Sequence, residues 1–251
     1  MQRYFIAPDQ MQESICRIVG SDAHHIQKVM RYDLDDVIIC SNGQGRTVEA
    51  KISEMNKDEI VCLILRDLEQ HSELPLEITI AQGLPKGDKI EWIIQKGTEL
   101  GAHSFLPFTS KRTIVKYDEK KEQKKVERWA KIAKEAAEQA HRERIPKIEP
   151  VCTLKDLLKI EAVCKLVAYE DEARQAHELP SSFATQLKSL KKGDSIVIVI
   201  GPEGGLDAQE VEQLKESGYV PVTLGSRILR TETASQYALS AISFYFEQMG
   251  G

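Results

Sequence analysis

Residues 195–200 read SIVIVI, and from Ile196 to Ile200 no side chain is polar. A half-buried strand alternates apolar with polar residues, so a run that is apolar throughout predicts a strand covered on both faces. Such strands belong to parallel sheets whose crossovers carry helices on each side. The run passes directly into GPEGGL (201–206), and a later strand-like stretch, YVPVTLG (219–225), passes into LGSRILRTETAS (224–235). Gly201, Gly204, Gly205 and Gly225 let the main chain turn tightly or approach a ligand closely. Two glycine-bearing turns at strand ends predict adjacent walls of one pocket, with Arg227 and Arg230 at its mouth.

The rest of the chain divides at a polar stretch, RDLEQHSELP (66–75), which reads as a linker. Before it, RYFI (3–6), DVIIC (36–40), TVEAKI (47–52) and EIVCLIL (59–65) are short strands, and SNGQG (41–45) is a turn. DAHHIQKVM (22–30) is a helical interruption with Ser21 or Asp22 as N-cap. These residues predict a small β-barrel or sandwich. After the linker, strands are expected at 76–82, 103–108, 165–170, 195–200 and 219–225. Helices are expected at 87–101, 120–143, 181–190, 207–218 and 233–249. Asp207 and Glu210 have the spacing of a capping box. The alternation predicts an α/β domain over residues 73–251, preceded by a β domain over residues 1–72.

Charge is unevenly spread. Residues 73–147 hold 16 Lys and Arg against 12 Asp and Glu, a net +4 in a chain whose net charge is −5. A basic stretch within an acidic chain suits a nucleic-acid face, although a solvated lysine-rich helix has the same composition. The cysteines, five in number and widely spaced, include no C-x-x-C pair, which favours reduced thiols over disulfides or zinc. His24, His25 and His141 have no carboxylate or cysteine at metal-ligand spacing, so no metal is expected. No apolar run is long enough to span a membrane, and the N-terminus lacks signal-peptide character, so a cytoplasmic location is expected.

The two turns also exclude ligands. G-x-x-x-x-G-K-[ST] and G-x-G-x-x-G are both absent, and no lysine in GPEGGL reaches toward a phosphate. Apolar Leu224, Ile228 and Leu229 suit a flat heterocycle, while the arginines suit an electron-rich partner beside it. A surface pairing of Arg227 and Arg230 with Glu203 or Glu232 is the competing reading.

GPEGGL followed by LGSRILRTETA resembles the SPOUT class of S-adenosylmethionine-dependent RNA methyltransferases. Together with RYFI, LPKGDKIEWIIQKGTELG (84–101), TSKRTIVK (109–116) and RWAKIAKEAAEQAHRERIP (128–146), the chain resembles the RsmE family along its whole length. That family methylates N3 of a uridine in 16S ribosomal RNA. The resemblance implies a PUA-like β-barrel at residues 1–72 and a SPOUT domain with a parallel sheet at 73–251, its cofactor end (about 163–251) tied in a trefoil knot. It also implies a homodimer acting on 16S RNA or the small ribosomal subunit. The cofactor would be held by Ala168, Ile200, Gly201, Pro202, Gly204, Gly205, Leu224, Gly225, Ile228 and Leu229, within three loops that include 168–170. S-adenosylhomocysteine would be the product.

Removing the N3 proton of uracil spreads negative charge onto O2 and O4, where a fixed cation stabilises the transition state. Arg230 is expected in that role. Glu203 ranks first as proton acceptor, with Glu232 and solvent as alternatives. Arg3, Lys86, Lys96, Lys111, Arg112, Arg142 and Arg144 are expected to hold RNA phosphates. The competing functions are methylation of a ribose 2′-hydroxyl or another base, a non-catalytic RNA-binding assembly factor, and a phosphate-binding α/β enzyme.

Overall fold

The computed structural model describes residues 1–69, 71–115, 117–169 and 183–250. Parts of four expected segments therefore lie outside the described residues: Gln70 of the linker, Lys116, Glu170, and Ser181 with Ser182. The chain forms two units. The first comprises Met1–Glu73 with Lys134–Ile145, the second Leu74–Ala133 with Pro146–Gly251. A single cut at residue 72 misses the return of Lys134–Ile145 to the first unit.

The first unit is a five-stranded sheet of β1 (Arg3–Phe5), β2 (Ile15–Val19), β3 (Val37–Ser41), β4 (Thr47–Met55) and β5 (Glu59–Asp67), in the order β1-β3-β4-β5-β2. β1 runs parallel to β3, and the other pairs are antiparallel. Alternate residues such as Ile38 and Cys40, or Val48, Ala50 and Ile52, fill one core. Cys16, Cys40 and Cys62 are buried there as free thiols. Between β2 and β3, α1 (Ser21–His24) passes into a wider π-type turn, His25–Met30. Neither Ser21 nor Asp22 caps it: Gly20, at φ +67°, takes the cap position and makes Ser21 the first helical residue. Glycine tolerates that left-handed backbone without strain.

The second unit is a parallel sheet. Its strands are β6 (Glu77–Gly83), β7 (Ser104–Thr109), β8 (Lys147–Ile148), β9 (Cys152–Thr153), β10 (Cys164–Ala168), β11 (Ser195–Ile200) and β12 (Val220–Val222). The order is β12-β10-β11-β6-β7-β8, with β9 also on β7, and every pair is parallel. Its helices are α2 (Lys89–Glu99), α3 (Glu119–Gln139, whose last turns count with the first unit), α4 (Leu154–Leu157), α5 (Phe183–Leu187), α6 (Ala208–Glu216) and α7 (Thr231–Ser243).

The alternation of β11 separates its two faces. Ile196, Ile198 and Ile200 join a core with residues of α2, α3 and α7, whereas Val197 and Val199 join a second core with α4 and α6. Both faces are buried, and each fully buried side chain of this size contributes about 1.5–3 kcal/mol. The strand is thereby fixed in the middle of the sheet, with its C-terminal end opening into a loop. The expected capping box at α6 is present: Asp207 Oδ1 accepts the Gln209 N–H at 3.1 Å, and Glu210 Oε2 accepts the Asp207 N–H at 2.9 Å.

Candidate cofactor and catalytic site

The C-terminal ends of β10 and β11 and the segment after β12 enclose a cavity of about 540 Å³. Ala168, Ile200, Gly201, Pro202, Gly204, Gly205, Leu224, Ile228 and Leu229 all line it, and so do Arg230 and Glu203. Ala168 and Leu229, 61 positions apart in sequence, thus line the same cavity. Gly225 is the exception. It lies at φ +113° and lines a second cavity of about 370 Å³, with Phe183, Leu187, Tyr237, Phe244 and Met249.

Tight backbone packing builds the glycine loop. Gly205 lies at φ +68° and donates its N–H to the Pro202 carbonyl at 2.8 Å. At the end of β6, a Cβ on Gly83 would lie 2.5 Å from Pro202 Cδ, so the loop seats directly on that backbone. A buried polar network holds the loop from below. The Thr231 hydroxyl donates to the Gly201 carbonyl at 2.6 Å and accepts from Gln82 Nε2 at 2.7 Å. Ser235 Oγ donates to Gln82 Oε1 at 2.6 Å. Gln82 and Ser235 are fully buried, so the network closes with each group satisfied.

Two expected RNA contacts brace the loop's outer side. Arg112 donates from Nη1 to the Gly204 carbonyl at 2.9 Å and lines the cavity. Lys111 Nζ reaches Asp207 Oδ1 at 3.2 Å and Gln209 Oε1 at 2.7 Å. Lys86 and Arg144 are exposed, while Lys96 pairs with Glu99 at 2.8 Å and lies over the Trp92 ring. Arg3 and Arg142 need correction as phosphate contacts. Both are buried in the first unit, where Arg3 Nη1 donates to the Arg142 carbonyl at 2.5 Å and Arg142 pairs with Glu73. Burial pushes the Arg3 pKa down, against the raising influence of Glu143 and Glu73.

Arg230 caps the N-terminus of α7 in extended conformation. It is exposed, and among the described residues no hydrogen bond or ion pair engages its guanidinium. A cation at a helix N-terminus opposes the helix dipole by about 0.3–1 kcal/mol, so helix stability does not account for it. The surface pairing of Arg230 with Glu203 or Glu232 is absent, and Lys89 contacts both carboxylates instead. Its Nζ lies 3.1 Å from Glu203 Oε1 and 3.4 Å from Glu232 Oε2. Glu203 also accepts the Lys86 N–H at 3.1 Å. Partial desolvation would raise the Glu203 pKa, but its own amide, Lys89 and the Lys86 amide together hold it below the usual carboxylate range.

The lining fits S-adenosylmethionine. Ile200, Leu224 and Leu229 offer apolar walls for a heterocycle, and the glycine loop presents its backbone between them. A Cβ on Gly201 would lie 3.1 Å from the Gly205 carbonyl carbon, so a side chain there would crowd the backbone of the loop. Among the described residues, no group of three or more His, Cys, Asp or Glu is arranged to hold a metal ion.

Residues 72–243 match the model of an RNA methyltransferase domain, and residues 19–65 that of an RNA methyltransferase PUA domain. Ribosomal RNA small subunit methyltransferase E of Bacillus subtilis is 48% identical over 256 aligned positions, covering 100% of this chain and 99% of the relative. A crystal structure of ribosomal RNA small subunit methyltransferase E from Neisseria gonorrhoeae bound to S-adenosyl methionine superposes with a TM-score of 0.84 at 29% identity, over 97% of each chain. A methyltransferase of Legionella pneumophila in complex with the same cofactor superposes with a TM-score of 0.84 at 28% identity, over 96% of each chain.

Proposed function

The chain belongs to the family of ribosomal RNA small subunit methyltransferase E, and from that premise we propose that it methylates uridine N3 in 16S ribosomal RNA using S-adenosylmethionine. The observation that carries the catalytic reading is Arg230, a cation lining the glycine-loop cavity whose guanidinium no hydrogen bond or ion pair engages among the described residues. The cofactor supplies a methyl group already activated on a sulfonium, so the residues here need only position the partners and manage one proton. Ile200, Leu224, Leu229 and the loop from Gly201 to Gly205 hold the cofactor. Arg230 stabilises the charge that spreads onto O2 and O4 as the N3 proton leaves. Glu203, kept ionised by Lys89 and backbone amides, is a weak base, and the proton passes to solvent.

Residues 1–72, completed by Lys134–Ile145, serve as the PUA-like RNA-binding domain in this reading. Exposed Lys86 and Arg144, together with Lys96, Lys111 and Arg112, contribute positive charge toward RNA. The strand order β12-β10-β11, in which the chain crosses back over β10, supports a knotted cofactor end. Exposed Tyr237, Phe244 and Met249 around the second cavity support a homodimer. No helix among the described residues is long and apolar enough to cross a membrane, which accords with a cytoplasmic site of action.

Primer extension on 16S RNA from a strain lacking the gene tests the function. Loss of one stop, restored by the wild-type gene, is the expected result, because N3-methyluridine blocks base pairing. An unchanged profile would favour a non-catalytic assembly factor.

A further inference from the structure

Lys89 is the first residue of α2 and lines the cofactor cavity; it touches the glycine loop through the Glu203 side chain alone, while Thr231 and Arg112 hold the loop's backbone carbonyls. It contacts two carboxylates: Glu203, which lines the cavity, and Glu232, in the first turn of α7. Their surroundings differ. Glu203 keeps a second partner, the Lys86 amide. Glu232 Oε2 is buried, makes no hydrogen bond, and has the Lys89 ammonium as its compensating charge. A buried carboxylate oxygen without a counter-charge is strongly unfavourable and draws in any cation that can reach it. Arg230 is that cation: it sits two residues before Glu232, at the cap of the same helix, with a long side chain and no partner among the described residues.

We infer that Lys89 is a positioning residue that occupies Glu232 and Glu203 and so leaves the Arg230 guanidinium free to face the target base. The inference rests on the role proposed above for Arg230. Without Lys89, Glu232 captures Arg230 and the cation is turned from the substrate. The cofactor pocket itself stays intact, since Thr231, Gln82 and Arg112 hold the loop independently. The missing charge should therefore lower turnover rather than cofactor affinity.

The test is single-turnover methylation by the full-length protein, using methyl-labelled S-adenosylmethionine and small subunits from a strain lacking the gene. Lys89→Met is expected to lose at least about tenfold in rate while its cofactor Kd stays within about threefold of wild type. Lys89→Arg, which keeps the cation, should retain most of the rate. The decisive variant is Lys89→Met/Glu232→Gln. Removing the capturing carboxylate should return the rate toward wild type, a strongly non-additive result. A purely structural lysine would give no such rescue. The double variant buries no uncompensated charge, so it carries the test even if Lys89→Met folds poorly. Failure of rescue, or a loss confined to cofactor affinity, overturns the inference. Arg230→Ala is assayed in parallel. Full activity there removes the underlying reading of Arg230, whereas an inactive Arg230→Ala beside a fully active Lys89→Met removes only the role given to Lys89.

Discussion

Thr231 donates a hydrogen bond from its hydroxyl to the carbonyl of Gly201 across 2.6 Å, tying the first turn of α7 to the first residue of the glycine loop. The helix that carries Arg230 and the loop that forms the cofactor wall are thus one mechanical piece. Thr231→Val keeps the shape but leaves the Gly201 carbonyl and one donor of Gln82 unmatched. Stability should fall by about 1–3 kcal/mol, the penalty for stranded buried polar groups. Thermal melting and cofactor titration should move together, both weaker than wild type.

Gly83→Ala tests the seat of the loop from the opposite side. Its new Cβ would fall 2.5 Å from Pro202 Cδ and 2.6 Å from Pro202 N, and the proline ring has little freedom to yield. Overpacking of this kind is destabilising by about 1–3 kcal/mol. Calorimetry should show S-adenosylmethionine binding weakened by about tenfold or more, since Pro202 lines the cavity.

Arg230→Ala should fold normally and bind cofactor as the wild type does. Turnover should fall by about 10²–10³-fold, the usual loss when a fixed group opposing transition-state charge is removed. Single-turnover methylation of small subunits measures it directly, and an unchanged rate would take Arg230 out of the chemistry.

The pH dependence separates the possible proton acceptors. Glu203 is held below its ordinary value of 4.5, so its charged form favours the folded state. That contribution is fully present above the unfolded value and is lost only as pH falls through the lower folded one. Between about pH 6 and 9, Glu203 should therefore produce no inflection in the rate. The rate should instead climb with pH as uracil N3–H ionises into solvent, and Glu203→Gln should show the same slope. A rate limb that disappears in Glu203→Gln would assign the proton to that carboxylate.

Much of this site could be read from the chain because its signals are local. An apolar strand running into a glycine turn is visible within a dozen residues, and nine of the ten residues expected to hold the cofactor share one cavity. Gly225 lines the other cavity, at a positive φ that a residue type permits but does not announce. Gln82, Thr231 and Ser235 carry no sequence signal for a different reason: Gln82 and Thr231 are 149 positions apart, and three polar residues have no pattern until the sheet brings them together. Arg3 and Arg142 show the converse error, since composition counts a buried guanidinium and an exposed one alike. The two-residue strands β8 and β9 are too short to carry a period.

The return of Lys134–Ile145 to the first unit also sets an order on synthesis. Phe5 gives its N–H to Glu138, Arg3 gives a guanidinium N–H to the carbonyl of Arg142, and Asp22 pairs with Lys134. A nascent chain that has just released β5 holds every strand of its N-terminal sheet and none of these three later groups. The domain made first must therefore wait, its Arg3 guanidinium not yet seated on Arg142, until much of the second domain has emerged. Ribosomes that pause between residues 73 and 145 would hold it in its least finished form.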